Sequence, residues 1–173
     1  GLAVYITGNA TPGQGDVVAL AIVDKQRHAV SKLAADLSAD EDAALKRWLE
    51  SDAPKFMHEA KAAYHMLRGR GIKLRGIAHD TAIAAYLLRP GQRTYALEDI
   101  YQRHLQRQLS VGSDQMSLLG DTADADAAAA ILELSAELAK ELREISSYEL
   151  YADLELPLVT VLADMEHTGI AVD

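Results

Sequence analysis

The chain has 173 residues, of which 49 % are hydrophobic and 25 % are charged, and it contains no cysteine. This length suits one globular domain with a sizeable core, and the lack of cysteine excludes disulfide scaffolds, zinc–thiolate sites, iron–sulfur clusters and a cysteine nucleophile. The formal net charge of −9 argues against a free-standing nucleic-acid-binding protein.

No apolar stretch approaches the roughly 20 residues that span a bilayer, and no secretory leader opens the sequence. We therefore expect a cytoplasmic protein without a membrane partner. The sequence starts at Gly1 rather than at a methionine, which suggests a piece of a longer protein.

The N-terminal region predicts three β-strands. Residues 2–7 mix β-branched and aromatic side chains, residues 17–23 form a continuous apolar run, and residues 28–33 return after a polar turn. The Gly-rich segment 8–15 lacks the Lys-Ser/Thr ending of a phosphate-binding loop, so we interpret it as a hairpin turn. This order predicts an antiparallel meander.

The middle of the chain alternates helices with short strands. Ser38 precedes Glu41 by three residues, the spacing of a capping box, and predicts a helix that continues to about Ser51. Asp80 is suited to cap the helix that follows it. Further helices are predicted at 59–68, 81–88 and 97–109, and further strands at 55–57 and 72–78.

The C-terminal region predicts a loop at 110–121 and then helices from about Asp124, with a break at 146–147 and an end at Gly169. Apolar residues recur at near-helical intervals along 149–168: Leu154, Leu158, Val161, Leu162 and Met165. These residues close the core of this chain, contact a following domain, or do both in part. Strands, then alternating helices and strands, then helices indicate an α/β domain with a mixed sheet.

Charge is unevenly distributed. Residues 61–107 carry nine basic and three acidic side chains, whereas residues 108–173 carry two basic and fourteen acidic ones. The basic segment faces phosphate, pairs with the acidic C-terminal helices or is simply solvated. The acidic helices at 124–155 are solvated, repel DNA and so set its path, or bind a basic partner. The candidate phosphate contacts, which would not read bases, are Arg68, Arg70, Lys73 and Arg75.

The residues alone indicate no catalytic site. The six histidines lack metal-like spacing, and no nucleophile elbow is present. Asp121, Asp124 and Asp126 lack the glycine and the distal glutamate of a calcium loop.

Two segments change this interpretation. Lys-Leu-Arg-Gly-Ile-Ala-His-Asp-Thr at 73–81, followed by Ala-Tyr-Leu-Leu-Arg-Pro at 85–90 and Tyr-Ala-Leu at 95–97, resembles the centre of the 3′–5′ exonuclease domain of the bacterial DNA polymerase I family. Residues 156–173 resemble the helix that joins that domain to the polymerase domain.

The resemblance implies a ribonuclease H-like α/β fold. We expect a mixed sheet of about five strands with an antiparallel N-terminal meander, flanked by helices and ending in a long helix that leads to the polymerase domain. Residues 1–146 would form the exonuclease-like domain, and residues 147–173 would form the connecting helix and the start of the polymerase domain.

Active members of this family hold two divalent cations on three motifs: Asp-x-Glu on the first strand, Asn-x-x-x-Asp at a helix start, and Tyr-x-x-x-Asp on a late helix. Two cations clamp the attacking and leaving oxygens of a phosphodiester, and such cations require oxygen ligands. The matching positions here are Val4 and Ile6, Glu59 and Ala63, and Thr122 and Asp126. Because one of four carboxylates remains, the resemblance implies no metal site and no exonuclease activity.

We therefore predict an inactive domain that supports a polymerase domain in DNA replication and repair, with duplex DNA as a second candidate for that support. The fragment has no polymerase motif and needs no cofactor, whereas the parent protein is expected to be a Mg²⁺-dependent DNA-directed DNA polymerase. The expected partners are the polymerase domain of the same chain and DNA, and the expected state is a monomer. The alternative is a weak divalent-metal-dependent 3′–5′ nuclease that uses Glu59, Asp80 and Asp126, with Asp16 further away.

Overall fold

The computed structural model describes residues 1–109 and 122–172, so the predicted loop at 110–121 lies outside the described residues. The strands are β1 (Leu2–Asn9), β2 (Asp16–Val23), β3 (Ala29–Leu33), β4 (Lys55–Met57) and β5 (Ile77–Asp80). The helices are α1 (Ala39–Leu49), α2 (Ala60–Arg68), α3 (Thr81–Leu88), α4 (Leu97–Leu105), α5 (Thr122–Glu144), α6 (Tyr148–Leu150) and α7 (Leu156–Val172). A π-helical segment, Tyr151–Glu155, joins α6 to α7.

The five strands form one mixed sheet in the order β3-β2-β1-β4-β5. β1, β2 and β3 pair antiparallel, whereas β4 and β5 run parallel to β1. The predicted meander and the predicted fold class are both confirmed. Among the described helices, none is long and apolar enough to cross a membrane.

The turn between β1 and β2 is anchored on the end of α2. A Cβ atom on Gly15 would lie 1.8 Å from the carbonyl oxygen of His65, and one on Gly69 would lie 1.6 Å from the carbonyl oxygen of Gly15. Only glycine allows backbones to approach this closely. The Gly-rich segment is therefore a hairpin turn, as predicted, and its last glycine serves packing.

The side chains of β1 alternate between two cores, because successive residues of a strand point to opposite faces. Ala3 lies in a core formed with α3, α4 and α5, which includes Ile131 and Leu134. Val4 lies in a second core, formed with β2, β4 and α2 and completed by Val159 of α7. The last helix therefore contributes to this domain's own interior.

Three predicted boundaries differ from the structure. Residues 72–76 are irregular and β5 begins only at Ile77, because the three-residue β4 offers partners no earlier than Lys55, which pairs with Ile77. α4 ends at Leu105, followed by Gln106 in the left-handed conformation. α7 continues through Gly169 to Val172, since a helix tolerates an isolated glycine at a cost of about 1 kcal/mol.

Candidate active-site cleft

β1, β4 and α2 enclose a cleft of about 350 Å³. Val4 and Ile6 are two residues apart and share one face of β1. Ala63 lies one turn beyond Glu59, at the start of α2. The structure thus brings Val4, Ile6, Glu59 and Ala63, the positions that match the first two motifs, together around one cleft.

The floor of this cleft is apolar. Val4 is 2 % exposed and lies in the same buried cluster as Met57 and Ala63, and Ile6 packs against that cluster. Divalent cations such as Mg²⁺ need several oxygen ligands, and none of these four side chains supplies one. Among residues 1–109 and 122–172, no three His, Asp or Glu side chains are grouped closely enough to hold a metal ion. The side chains present do not fit a pair of metals.

Glu59 adopts an unusual backbone conformation at the rim of the cleft. Its φ of 58° is left-handed, a region that few residues other than glycine, asparagine and aspartate enter. The neighbouring elements hold this conformation, because the Glu59 amide donates to the Asp80 carboxylate at 3.0 Å and the Ala60 amide donates to it at 2.8 Å. The Glu59 side chain is exposed and makes no capping bond with α2.

The third motif falls on the first turns of α5. α5 begins at Thr122, whose side chain lies outside the described part of the chain. Asp126 is exposed and lies four positions further along. The carboxylate of α5 that acts on β1 is Asp124, through Tyr5. Burial raises the pKa of Tyr5, and the charges of Asp124, Glu98 and Glu59 raise it further.

The sequence alone did not indicate that the charges of Asp124 and Glu98 act on Tyr5, which lines the cleft. Helical periodicity contains a signal for Asp124, which precedes the buried Ala127, Ala128 and Ile131 by three, four and seven residues. No comparable signal exists for Glu98, because its approach to β1 depends on where α4 packs.

Asp80 is buried and fully engaged in capping two helices. Its carboxylate accepts hydrogen bonds from Glu59 and Ala60 at the start of α2, as above, and from Ala82 at 3.0 Å and Ile83 at 3.4 Å at the start of α3. Burial raises the pKa of Asp80, and these four amides oppose the rise. The predicted cap of α3 is confirmed, and a carboxylate so fully occupied is a poor metal ligand.

The π-helical segment also contacts Asp80, through Tyr151. The Tyr151 hydroxyl accepts a hydrogen bond from the Asp80 amide at 2.7 Å and lies 3.2 Å from Nδ1 of His79. The Tyr151 ring stacks on His79 with centroids 5.8 Å apart. We call Asp80, Tyr151 and the four amides on the Asp80 carboxylate the Asp80 junction.

Two further side chains, those of His58 and Asp16, each contact a residue that does not line the cleft. Nδ1 of His58 lies 2.9 Å from the Thr81 hydroxyl oxygen, and burial lowers the pKa of His58 to about 4, which keeps the ring neutral at pH 7. Asp16 accepts from the Val17 amide at 2.9 Å and does not line the cleft.

The four candidate phosphate contacts lie at the end of α2 and in the segment after it. Arg70 pairs with Asp42 of α1 at 3.0 Å, and Arg75 pairs with Asp52 at 2.9 Å. The side chains of Arg68 and Lys73 make no ion pair with any described residue. Half of this set is thus neutralised by nearby carboxylates.

α7 has one buried face and one exposed face. Leu156, Val159 and Ala163 are buried, and Asp164 accepts from the Tyr64 hydroxyl at 3.1 Å. The apolar residues of the predicted row are exposed, one in the π-helical segment and four on the other side of α7: Leu154 50 %, and Leu158 36 %, Val161 52 %, Leu162 48 % and Met165 63 %. Of the two interpretations of this row, closure of the chain's own core is therefore wrong.

Comparison with known proteins places these features in context. A family described as "DNA polymerase I, ribonuclease H-like domain" matches residues 8–116. DNA polymerase I of Mycobacterium tuberculosis is 44 % identical over 181 residues, 97 % of this chain and 20 % of that protein. DNA polymerase I of Bacillus subtilis is 32 % identical over 151 residues, 78 % of this chain and 17 % of that protein. The chain spans about a fifth of the length of these relatives.

Solved structures agree with the fold. The POL domain of Pol1 from M. smegmatis, in complex with DNA primer-template and dNTP, superposes with a TM-score of 0.89 at 39 % identity, covering 96 % of this chain and 28 % of that one. Brucella melitensis NrnC superposes with a TM-score of 0.77 at 16 % identity, covering 99 % and 87 %. The second likeness shows the fold alone.

Proposed function

This chain belongs to the ribonuclease H-like domain family of DNA polymerase I, and from that membership we propose that it is a catalytically inactive 3′–5′ exonuclease-like domain that braces a polymerase domain. The longer protein would act as a DNA-directed DNA polymerase in replication and repair. Residues 1–146 would be the exonuclease-like unit, and residues 147–173 would lead into the polymerase domain.

The side chains at the motif positions carry the proposal of inactivity. Hydrolysis by two metals needs carboxylates that face each other across the cleft, but Val4, Ile6 and Ala63 present methyl groups there. The nearest buried carboxylate, Asp80, is held by four backbone amides. The nuclease alternative is left with Glu59 and Asp126, both exposed, and exposed carboxylates do not displace the hydration shell of a divalent cation by themselves.

The exposed face of α7 is the surface through which this chain would brace the polymerase domain. A contiguous row of exposed leucine, valine and methionine side chains on one helix marks an interaction surface. The opposite face is fixed to α2 by Val159 and Ala163 in the core and by Lys61 and His65, which both contact Glu166. A helix held this firmly on one side can transmit a fixed orientation to a domain packed on the other.

Degradation of a 5′-labelled mismatched primer tests the inactivity. We expect no shortening with Mg²⁺ or Mn²⁺, and no heat of metal binding by calorimetry, under conditions in which an active family member degrades the primer. Metal-dependent shortening that disappears in Glu59→Ala or Asp126→Ala, but not in the exposed control Glu149→Ala, would establish the nuclease alternative instead.

Paired substitutions on α7 test the bracing. Leu162→Ser with Met165→Ser should leave the stability of this chain within about 0.5 kcal/mol, because both side chains are exposed. In a protein that includes the polymerase domain, the same pair should shorten the thermal half-life of polymerase activity. Val159→Ser is the control, because it should destabilise this chain by itself. An unchanged half-life for the exposed pair would contradict the bracing role.

A further inference from the structure

The cleft combines an apolar floor with a negatively charged rim. Its volume of about 350 Å³ lies at the lower end of the range of small-molecule sites, which is enough for a single ring with a short head group. Half-buried Ile6, Ala62 and Met66 give the floor its accessible apolar surface, while Glu59 and Glu98 stand on the exposed rim. Among the residues that the structure describes, no lysine or arginine lines the cleft.

We propose that this cleft binds an organic cation with an apolar body. The inference goes beyond the bracing role and does not depend on it. The body of such a ligand would displace water from the floor, and its ammonium or guanidinium group would remain at the rim between the two carboxylates.

The charges of the rim are available to a ligand. The Glu59 and Glu98 side chains make no ion pair with any residue in 1–109 or 122–172. The negative potential extends into the cleft, because the charges of Glu59, Glu98 and Asp124 act together on Tyr5, which lines the wall. His58 does not offset them, since burial lowers the pKa of His58 to about 4 and leaves it neutral.

The same features select against the two ligands of an active exonuclease cleft. A phosphate-bearing strand end carries the same sign of charge as Glu59 and Glu98 and would be repelled. A divalent cation would find two exposed carboxylates and otherwise only neutral groups among the described lining residues, short of the charged oxygen ligands it requires. An organic cation needs no inner-sphere ligands and gains from the apolar floor.

Two sources could supply this chemistry: a small aromatic or aliphatic amine, or an arginine or lysine side chain next to an apolar residue in a polypeptide. Both present a cation on an apolar body. The test therefore uses benzylammonium and a short blocked Phe-Arg peptide as separate probes. Benzyl alcohol is the neutral analogue and thymidine monophosphate the anionic one.

Binding is measured on this chain by ¹³C methyl chemical shifts of Val4, Ile6, Met57 and Met66 at pH 7 and low salt. We expect saturable shifts with benzylammonium or the peptide, several-fold weaker binding of benzyl alcohol, and no saturable shift with thymidine monophosphate. The peptide binding at least tenfold more tightly would identify a polypeptide as the source, and equal or weaker binding would identify a small amine.

The double variant Glu59→Gln with Glu98→Gln should weaken binding of the cation about threefold to tenfold and remove its salt dependence. Glu149→Gln with Asp153→Asn makes the same change of charge on exposed residues away from the cleft and should leave binding unchanged. Equal affinity for benzylammonium and benzyl alcohol, or no saturable shift with any cation, would overturn the inference. Selective broadening of these methyl signals by Mn²⁺ would instead contradict the proposed loss of the metal site.

Discussion

The Asp80 junction and the cleft meet at one residue, Glu59, yet they differ in how completely their polar groups are paired. At the junction, one buried carboxylate receives four amides and a tyrosine hydroxyl receives a fifth. In the cleft, Val4, Ile6 and Ala63 stand at the positions that the family resemblance matches to metal ligands, and the Glu59 and Glu98 side chains at the rim make no ion pair with any described residue. The junction supports the ends of two helices, whereas the cleft supports none.

This difference separates residues that maintain the fold from residues that carry out chemistry. Replacing a metal ligand with valine, isoleucine or alanine removes a reaction but adds to the core. Replacing Asp80 would strip two helices of their caps. Under the proposed loss of exonuclease activity, the first group of residues can change freely, whereas the second group is kept because the fold depends on it.

The largest expected effect tests the junction. Asp80→Ala should lower the free energy of unfolding by about 4 kcal/mol, because it removes two helix caps and leaves buried amides unpaired. Urea denaturation measures this loss. Asp126→Ala, an exposed carboxylate on α5, is the control and should change stability by less than about 0.5 kcal/mol. A mild effect at Asp80 would contradict the structural role given to the junction.

pH dependence tests both regions through their histidines. Burial lowers the pKa of His58, beside the cleft, and of His79, at the junction, to about 4 each. As the pH falls, each histidine takes up its proton at a higher pH in the unfolded state than in the folded state. The stabilisation that the neutral histidines give is therefore complete above about pH 6.5 and is lost as the pH falls towards 4.

The slope for His58 should reach about 1.4 kcal/mol per pH unit, and that for the more exposed His79 should be smaller. His58→Gln should flatten the profile of unfolding free energy measured by urea denaturation between pH 7 and 5. His28→Gln changes a side chain that is 83 % exposed and should leave the profile unaltered. A profile equally steep in both variants would contradict the buried neutral state of His58.

Tyr151→Phe sharpens the comparison by removing one hydroxyl from the junction. The Asp80 amide then loses its acceptor, and stability should fall by about 2 kcal/mol. Tyr86→Phe is the matched control, since Tyr86 is 53 % exposed. Amide hydrogen exchange should also show faster opening at the start of α7 in the first variant alone, and equal exchange in both would contradict the coupling of α7 to Asp80.

Glu59→Asn acts where the two regions meet and should stabilise the domain by about 0.5 to 1 kcal/mol. Asparagine enters the left-handed region at lower cost than glutamate, while the amide that donates to Asp80 is kept. Glu59→Gln makes a comparable loss of charge without easing the backbone and should have no stabilising effect. Thermal unfolding of both variants measures the difference. Equal melting temperatures would indicate that the φ of 58° costs nothing.

The smallest effect concerns DNA. Arg68→Ala with Lys73→Ala should reduce the slope of log affinity against log salt by about 2, because each phosphate contact contributes about 0.9. Arg70→Ala with Arg75→Ala should reduce it less, because Asp42 and Asp52 compete with phosphate for these side chains. Both pairs are tested in a protein that includes the polymerase domain, by fluorescence anisotropy with duplex DNA at several salt concentrations. An unchanged slope in the first pair would remove the basic segment from the DNA contacts.

Local signals in the sequence were sufficient for much of the architecture. The capping box of α1 is present as predicted, with the Glu41 amide donating to Ser38 and the Ser38 amide donating to Glu41. β-Branched and apolar runs separated by turn residues predicted the meander, and the family resemblance predicted a mixed sheet of about five strands. Such features depend on residues that are a few positions apart in the chain, so they can be recognised from a single sequence.

Only the tertiary structure decided which side chains of different elements contact one another. Asp80 was predicted to cap the helix after it, but its second role, at the start of α2, joins residues 20 positions apart. The apolar row on α7 was visible in the sequence, but only packing against α2 determined which face is buried. Asp124 and Glu98 approach β1 from two different helices. The sequence by itself determined which elements form, because hydrogen bonding and periodicity are local; the structure decided which residues meet, because packing acts between elements far apart in the chain.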